Sequence, residues 1–319
     1  MSKFTVSIVI PTHNRQDDLM ATLEQLSTLS PAADEIIIFL DGCNDGSKEL
    51  LEERYPEIVV LTSDAPQGSI PTRDTAFRLA KGDLIVSLDD DSYPLREDFV
   101  IRLIDLADKH PEVGAFAFRE VRPNERVPAL SNTEVPQRAW IATYPNCAGA
   151  IRKSIYGEIT SYPRFFSHAY AEPDFCLQTY GAGYGVLYVP EIEVCHRFTH
   201  VNRNMKARHY KNARNEFWSV VMRCPFPHVL WVGAYRMIRQ ILFGASKGWG
   251  WLKDEPKWVA EAFLRIREPL SHRRPVEWST YWRWMRMARN PLEGSRESLF
   301  KAFPKAKAKY MADTPPNQK

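Results

Sequence analysis

At 319 residues, 44% hydrophobic and 25% charged, the chain is longer than one ordinary compact domain and is neither disordered nor collagen-like. Its net charge of +3 hides a split, because residues 1–196 carry 17 Lys/Arg against 30 Asp/Glu while residues 197–319 carry 25 against 9. An acidic front and a basic back, the back holding eight of the nine tryptophans, predict two different partners.

The first 120 residues alternate apolar strands with amphipathic helices, which predicts βαβ units on a parallel sheet. Strands are expected at Val6–Ile10, Glu35–Leu40, Ile58–Leu61, Asp83–Leu88 and Val113–Phe118. Leu19, Leu23, Leu26 and Leu29 recur at helical spacing, and a second helix after Pro94 carries Phe99, Leu103, Leu106 and Ala107 on one side. Residues 121–170, rich in Pro, Asn and aromatics, read as an irregular, substrate-shaping stretch. Two further strands, Gly185–Val189 and Glu193–His196, complete the core, and beyond them lie basic, Trp-rich helices. The organisation expected is a catalytic domain over 1–220, a helical extension over 221–304 and a flexible tail over 305–319.

Five cysteines without a CxxC pair, and a Met1-Ser2-Lys3-Phe4 start with no apolar stretch behind it, predict a reducing, cytoplasmic setting. No apolar run reaches the roughly 18 residues of a simple transmembrane helix. The nearest approach, Val229 to Phe243, is interrupted by Arg236 and Arg239.

In open parallel sheets ligands bind beyond the carboxyl ends of the strands, so the polar residues there are the first candidates. The first strand ends in Pro11-Thr12-His13-Asn14-Arg15, the second in Asp41-Gly42-Cys43-Asn44-Asp45-Gly46-Ser47, the fourth in Asp89-Asp90-Asp91 and the last in Cys195-His196. Three adjacent carboxylates repel one another unless a cation neutralises them, and a hard divalent ion such as Mg²⁺ or Mn²⁺ suits an all-oxygen cluster. Alternation along an extended segment lets Asp89 and Asp91 converge while Asp90 faces elsewhere. The bland alternative is a solvated acidic turn. Neither GxGxxG nor GxxxxGK[ST] is present, which removes the main support for Rossmann and P-loop nucleotide sites.

In this order the motifs resemble the family-two inverting glycosyltransferases of the GT-A fold. The likeness runs from Val6-Ser-Ile-Val-Ile-Pro11-Thr12-His13-Asn14-Arg15 through Asp41–Ser47, Arg73, Ala80-Lys-Gly82-Asp83 and Leu88–Asp91. It continues in Gly149-Ala-Ile-Arg152-Lys153, Glu172-Pro-Asp174 and Gly183-Tyr184 to Val194-Cys-His196. The resemblance implies a mostly parallel α/β sheet flanked by helices and a sugar moved from a UDP- or dTDP-linked donor to a glycan or lipid-linked acceptor. It further implies Mn²⁺ or Mg²⁺ held by Asp89, Asp91 and His196. Nucleotide contacts carry over to Pro11, Thr12, Asn14, Arg15, Asp41, Arg73, Asp89 and Asp90, and acceptor contacts to Gly149 and Glu172. The base falls to Glu172, since Ala171 replaces the first acid of the family's motif, and Asp174 assists it. His196-Arg197, Arg203, Tyr210 and Arg214-Asn215 resemble rhamnosyltransferase-like branches. Leu40 and Asp74 stand where the family usually has Asp and Asn. An acid at 74 is tolerable near a diphosphate only if it points away or pairs with a cation.

Two other readings remain. A sugar-phosphate nucleotidyltransferase would share the sheet and the carboxylates, but Pro11-Thr12-His13-Asn14 is not its Gly-rich opening loop. A non-catalytic glycan- or membrane-binding scaffold is argued by the acid missing at Ala171. In the basic part, Val229–Phe243 has Arg236, Arg239 and Gln240 on one narrow stripe amid apolar residues, which fits either an anionic membrane surface at the inner face of the cell or docking on the first domain. No nucleic-acid motif accompanies it, so nucleic acid is not an expected partner.

Overall fold

The computed structural model describes residues 4–123, 137–157, 160–198 and 204–313. The strands are β1 Val6–Thr12, β2 Glu35–Asp41, β3 Val59–Ser63, β4 Leu84–Ser87, β5 Ser92–Pro94, β6 Val113–Val121, β7 Ala139–Trp140, β8 Gly149–Arg152, β9 Gly185–His196 and β10 Leu292–Glu293. Helices fill the intervals: α1 Gln16–Leu26, α2 Ser47–Arg54, α3 Ser69–Leu79, α4 Phe99–Lys109 and α5 Ala171–Gly181. The C-terminal part is helical, with α6 Met205–Arg223, α7 His228–Ser246, α8 Trp249–Leu252, α9 Glu255–Leu264, α10 Arg267–Ser271, α11 Trp278–Met287, α12 Arg296–Ala302 and α13 Pro304–Asp313.

One sheet runs in the order β10-β7-β9-β6-β8-β4-β1-β2-β3, with β5 on the far end of β9. Strands β3, β2, β1 and β4 are mutually parallel, whereas β8 enters antiparallel between β4 and β6. The sheet is therefore mixed. Its central strands read as continuous apolar runs because helices cover both faces, leaving Ile8, Val9, Ile37, Ile38, Ile85 and Val86 buried. Leu19, Leu23 and Leu26 place α1 on the sheet as their spacing requires, and Leu29, just beyond the helix, is buried as well.

Three expectations change. The two late strands are one, β9, in which Pro190, unable to donate to a ladder, sits in a register shift where pairing with β6 passes from Phe118–Val189 to Arg119–Glu193. That shift carries Cys195 and His196 to β5, opposite Tyr93 and Ser92. The stretch expected to be irregular contributes β7 and β8 to the sheet, because Ala150 and Ile151 are apolar enough to be buried on both sides. The expected tail contains α13, whose Ala306 and Tyr310 are buried, while residues 314–319 lie outside those described. The extension shares the core of the first domain. Trp258 and Trp284 are buried in it, and Trp284 Nε1 donates to the Ala142 carbonyl at 2.9 Å.

Candidate active site

The carboxyl ends of β1, β2 and β4 lie side by side, since Thr12 pairs with Leu40 and Val9 with Ser87. Each chain then turns sharply. Asp45 fixes the second turn by accepting from the Gln16 amide of α1 at 3.0 Å and the Ser47 hydroxyl of α2 at 2.6 Å, so one carboxylate caps two helices. That is a structural use of the residue, and a strand rather than a helix precedes the loop.

Beyond the end of β4 the chain turns, so that Arg15 bridges Asp90 and Asp91 at 2.6 and 2.8 Å while Asp89 pairs with Arg73. Asp91 is 1% exposed, and its Oδ1 stands 3.1 Å from His196 Nε2. Neither atom has a hydrogen-bond partner in acceptable geometry, and buried orphans of this kind need explaining. Asp89, Cys147 and His196 each bring one ligating atom to within 4.8 Å of the others. His196 Nδ1 lies 2.6 Å from Glu120 Oε1, a contact that fixes the orientation of the imidazole. Burial opposes a charge on His196, yet Asp91, Cys147 and Glu120 together push its imidazole up to about 12, so the cluster favours a positive charge that a bound cation would supply in place of the proton. The donor set fits a divalent cation. The residues that would hold such an ion are Asp91, His196 and Asp89.

Asp90 turns away. It is buried, its Oδ2 accepts from the Thr12 hydroxyl at 2.8 Å and its Oδ1 from Arg15 Nη1 at 2.6 Å, while burial pushes it up to about 7. Asp90 and Thr12 thus bond to each other, and Arg15 divides its guanidinium among Asp18, Asp90 and Asp91. Asp41 is likewise engaged, its carboxylate accepting from the Gln67 and Gly68 amides at 2.7 and 2.9 Å and from the Ser63 hydroxyl at 3.1 Å. It holds the entrance to α3. Gly68 is required there, because at φ +104° a Cβ would come within 2.4 Å of the Ser167 carbonyl.

From α3, Arg73 reaches inward to the Leu88 carbonyl at 2.9 Å and to Asp89 Oδ1, placing a buried guanidinium beside the one partly exposed aspartate of the three. Asp74 is harmless to an anionic ligand because Arg78 Nε and the Tyr156 hydroxyl bind it at 2.9 Å each. Asn14 remains exposed at φ 51°, bridging two loops by accepting from the Asn44 amide at 2.8 Å, and Pro11 lies within β1 opposite Phe39.

Glu172 begins α5. Its Oε1 accepts from Asn146 Nδ2 at 2.8 Å, and burial pushes its carboxyl above the usual range while Arg73 pulls the other way. Asp174 does not accompany it toward open space. It is fully buried and held by Ser219 at 2.7 Å, Gln178 at 2.8 Å and Arg223 at 3.0 Å, an ion-paired tie between α5 and α6. Gly149 is also structural. The Tyr144 ring occupies the space a Cβ would need, 2.6 Å away, so Gly149 packs under an aromatic instead of meeting an acceptor.

Two further residues, Glu120 and Cys147, enter the site without a clear sequence signal, and Asn215, noted in the sequence only as part of Arg214-Asn215, supports it. Asn215, fully buried on α6, donates to the carbonyls of Phe166, His168 and Ala169 at 3.1, 2.8 and 2.9 Å. Those bonds restrain a segment in which Ser167, Ala169 and Tyr170 all have positive φ, immediately before Glu172. Asn215→Ala should therefore cost about 2–3 kcal/mol of stability by orphaning buried carbonyls. It should lower kcat more than it raises donor KM; an unchanged kcat would show that the loop needs no such restraint. Arg203 lies outside the described residues. A separate cleft of about 490 Å³, lined by Tyr210, Trp251 and Trp258, shares no residue with the aspartate cluster.

Comparison with known proteins agrees with this geometry. An uncharacterized glycosyltransferase of Haemophilus influenzae is 32% identical over 87 residues, covering 27% of the chain and 29% of that protein. The undecaprenyl-phosphate 4-deoxy-4-formamido-L-arabinose transferase of Yersinia enterocolitica is 33% identical over 115 residues, covering 34% and 35%. The chain thus matches about a third or less of these relatives' lengths. Among solved structures, S. aureus TarS 1-349 in complex with UDP-GlcNAc superposes with a TM-score of 0.57 at 13% identity over 97% of the chain and 92% of its own. The mannosyltransferase PcManGT of Pyrobaculum calidifontis, in complex with GDP-Man and Mn²⁺, gives 0.56 at 16% identity over 98% and 88%. The model of glycosyl transferase family 2 matches residues 7–168, about half of the chain, and the chain is accordingly a glycosyltransferase of GT-A fold that belongs to this family.

Proposed function

We propose that the chain is an inverting, divalent-metal-dependent transferase that moves a sugar from a UDP- or dTDP-linked donor to a hydroxyl of a glycan or lipid-linked acceptor at the inner face of the membrane. One observation carries this reading: Asp91 Oδ1 and His196 Nε2, both buried and orphaned, face each other 3.1 Å apart beside the partly exposed Asp89. Mn²⁺ or Mg²⁺, held by Asp91 and His196 with Asp89 alongside, supplies Lewis-acid neutralisation of the leaving diphosphate when bound. Arg73 adds a fixed guanidinium on the Asp89 side. Glu172, with its carboxyl raised by burial, takes the proton of the acceptor hydroxyl as that oxygen bonds to the anomeric carbon and the diphosphate departs from the opposite face. Asn14 at the rim and Arg73 within are the nucleotide contacts this geometry leaves available.

The neighbours support the donor class, since their structures contain UDP-GlcNAc or GDP-Man, and the arabinose transferase supports a lipid-linked acceptor by its name. The test is sugar transfer from UDP- and dTDP-sugars with and without Mn²⁺, reading the anomeric configuration of the product by NMR. A product that keeps the donor's configuration, or full turnover in EDTA, would refute the mechanism.

Cys147 makes the metal site unusual. A thiol beside His196 favours softer ions, although burial pushes its pKa up to about 12. Zn²⁺ should therefore compete with Mn²⁺, and Cys147→Ser should weaken Zn²⁺ binding about tenfold by calorimetry with little change for Mn²⁺. Equal losses for both ions would show that the thiol is only packing.

A further inference from the structure

The strongest feature outside the site is the orientation of α7. A surface helix of a globular protein normally buries its apolar stripe and exposes its polar one. Here the arrangement is reversed. Arg236 and Arg239 donate to the buried Glu216 of α6 at 2.9 and 2.5 Å, and Gln240 donates to its other oxygen. Gln240 is thereby buried beside Val232 and Arg236 is held inward, Arg239 staying half exposed, while Leu230, Ile238 and Leu242 are exposed by 66%, 56% and 63% together with Trp231 and Tyr235. Phe226 before the helix and Trp249 after it are exposed by 73% and 75%. Single exposed apolar residues are ordinary, but a stripe along a 19-residue helix, flanked by aromatics at both ends, is not.

We infer that α7 is the element by which this protein lies on an anionic lipid bilayer, its outward stripe seated at the boundary between headgroups and acyl chains. Charge complementarity selects this occupant. Residues 225–252 contain no Asp or Glu, and with Arg236 and Arg239 already paired to Glu216 the cations bordering the outer face are Lys247 and Arg289. Lys247 lies 5.3 Å from the Phe243 ring and Arg289 donates to the Tyr235 hydroxyl at 3.3 Å, so cations border the apolar stripe where phosphates would lie. A second copy of the chain would bring these cations against one another with no acid in the segment to offset them. Among the described residues no helix is long and apolar enough to cross a membrane, so α7 lies on the surface instead of spanning it. The inference deepens the membrane-side reading given above by naming its contact element, and it does not depend on the donor.

The test is flotation of the full chain with phosphatidylcholine vesicles, with and without about one third phosphatidylglycerol, at low and high salt. Binding should require the anionic lipid and weaken with salt, and brominated lipid should quench the tryptophan fluorescence, less so in Trp231→Phe. Ile238→Glu with Leu242→Glu should reduce vesicle binding by roughly tenfold or more while preserving the melting temperature. Failure of the wild type to float, or a concentration-dependent dimer in sedimentation that these substitutions abolish, would overturn the proposal. Thermal shift by UDP with Mn²⁺, run on the same samples, reads the donor site separately, so either conclusion can fail alone.

Discussion

Glu172→Gln should lower kcat by roughly 10³-fold while leaving donor affinity within about twofold, the outcome expected for loss of a general base that does not hold the nucleotide. Glutamine preserves the volume and can still accept from Asn146, so the side-chain position is conserved while the proton acceptor is lost. The pH profile gives an independent reading. Burial raises the Glu172 carboxyl above the usual range, so kcat/KM of the wild type should rise with pH along a limb that lies above an ordinary glutamate's, and this limb should vanish in the variant. Stability separates lost chemistry from misfolding. A carboxyl whose pKa is raised on folding contributes fully below its unfolded pKa and costs stability as pH rises through the folded value. At pH 8 the neutral glutamine should therefore melt no lower than the wild type. Full turnover in Glu172→Gln would remove the residue from the mechanism and return force to the scaffold argument from Ala171.

The sheet was legible because its central strands must be apolar on both faces, and the spacing of Leu19, Leu23 and Leu26 admits only a helix lying on it. Alternation describes the three aspartates only in part, because the segment is a turn in which Arg15 bridges Asp90 and Asp91. What it could not reveal is where Asp90 goes, since its partners Thr12 and Arg15 come from β1 and the turn after it, 75 or more residues away. Glu120 and Cys147 were hidden for a similar reason. Glu120 meets His196 only through the register shift at Pro190, and Cys147 was set aside because cysteine spacing along the chain says nothing about a ligand set assembled from three separate strand ends. The Arg236–Arg239–Gln240 stripe was visible as a pattern, but a helix pattern has no inside. Glu216, one acid among 9 in the basic part, decides which face turns inward. The charge split thus marks no separate folding unit, because Trp258 and Trp284 of the basic part complete the core of the acidic one.

Asp91→Asn should reduce Mn²⁺-dependent affinity for UDP at least about 100-fold, measured by calorimetry as the difference between titrations with and without the metal. The argument rests on electrostatics at a buried position. Asp91 is held well below the usual carboxylate range although burial opposes ionisation, because the positive charges of His196 and Arg15 stand beside it. Asparagine keeps the shape but removes the charge, leaving His196 Nε2 and Arg15 without the anion that holds them and any cation facing a neutral amide. Metal-free UDP binding should change less than fivefold, since Arg73 and Asn14 do not depend on Asp91. The companion substitution distinguishes ligand from support. Glu120→Gln should weaken Mn²⁺ by 10- to 100-fold, the range expected when the carboxylate behind a ligating imidazole is lost, without altering metal-free binding. A metal-independent loss in Asp91→Asn, equal with and without Mn²⁺, would show that Asp91 maintains the turn through Arg15 and that the orphaned pair with His196 holds no cation.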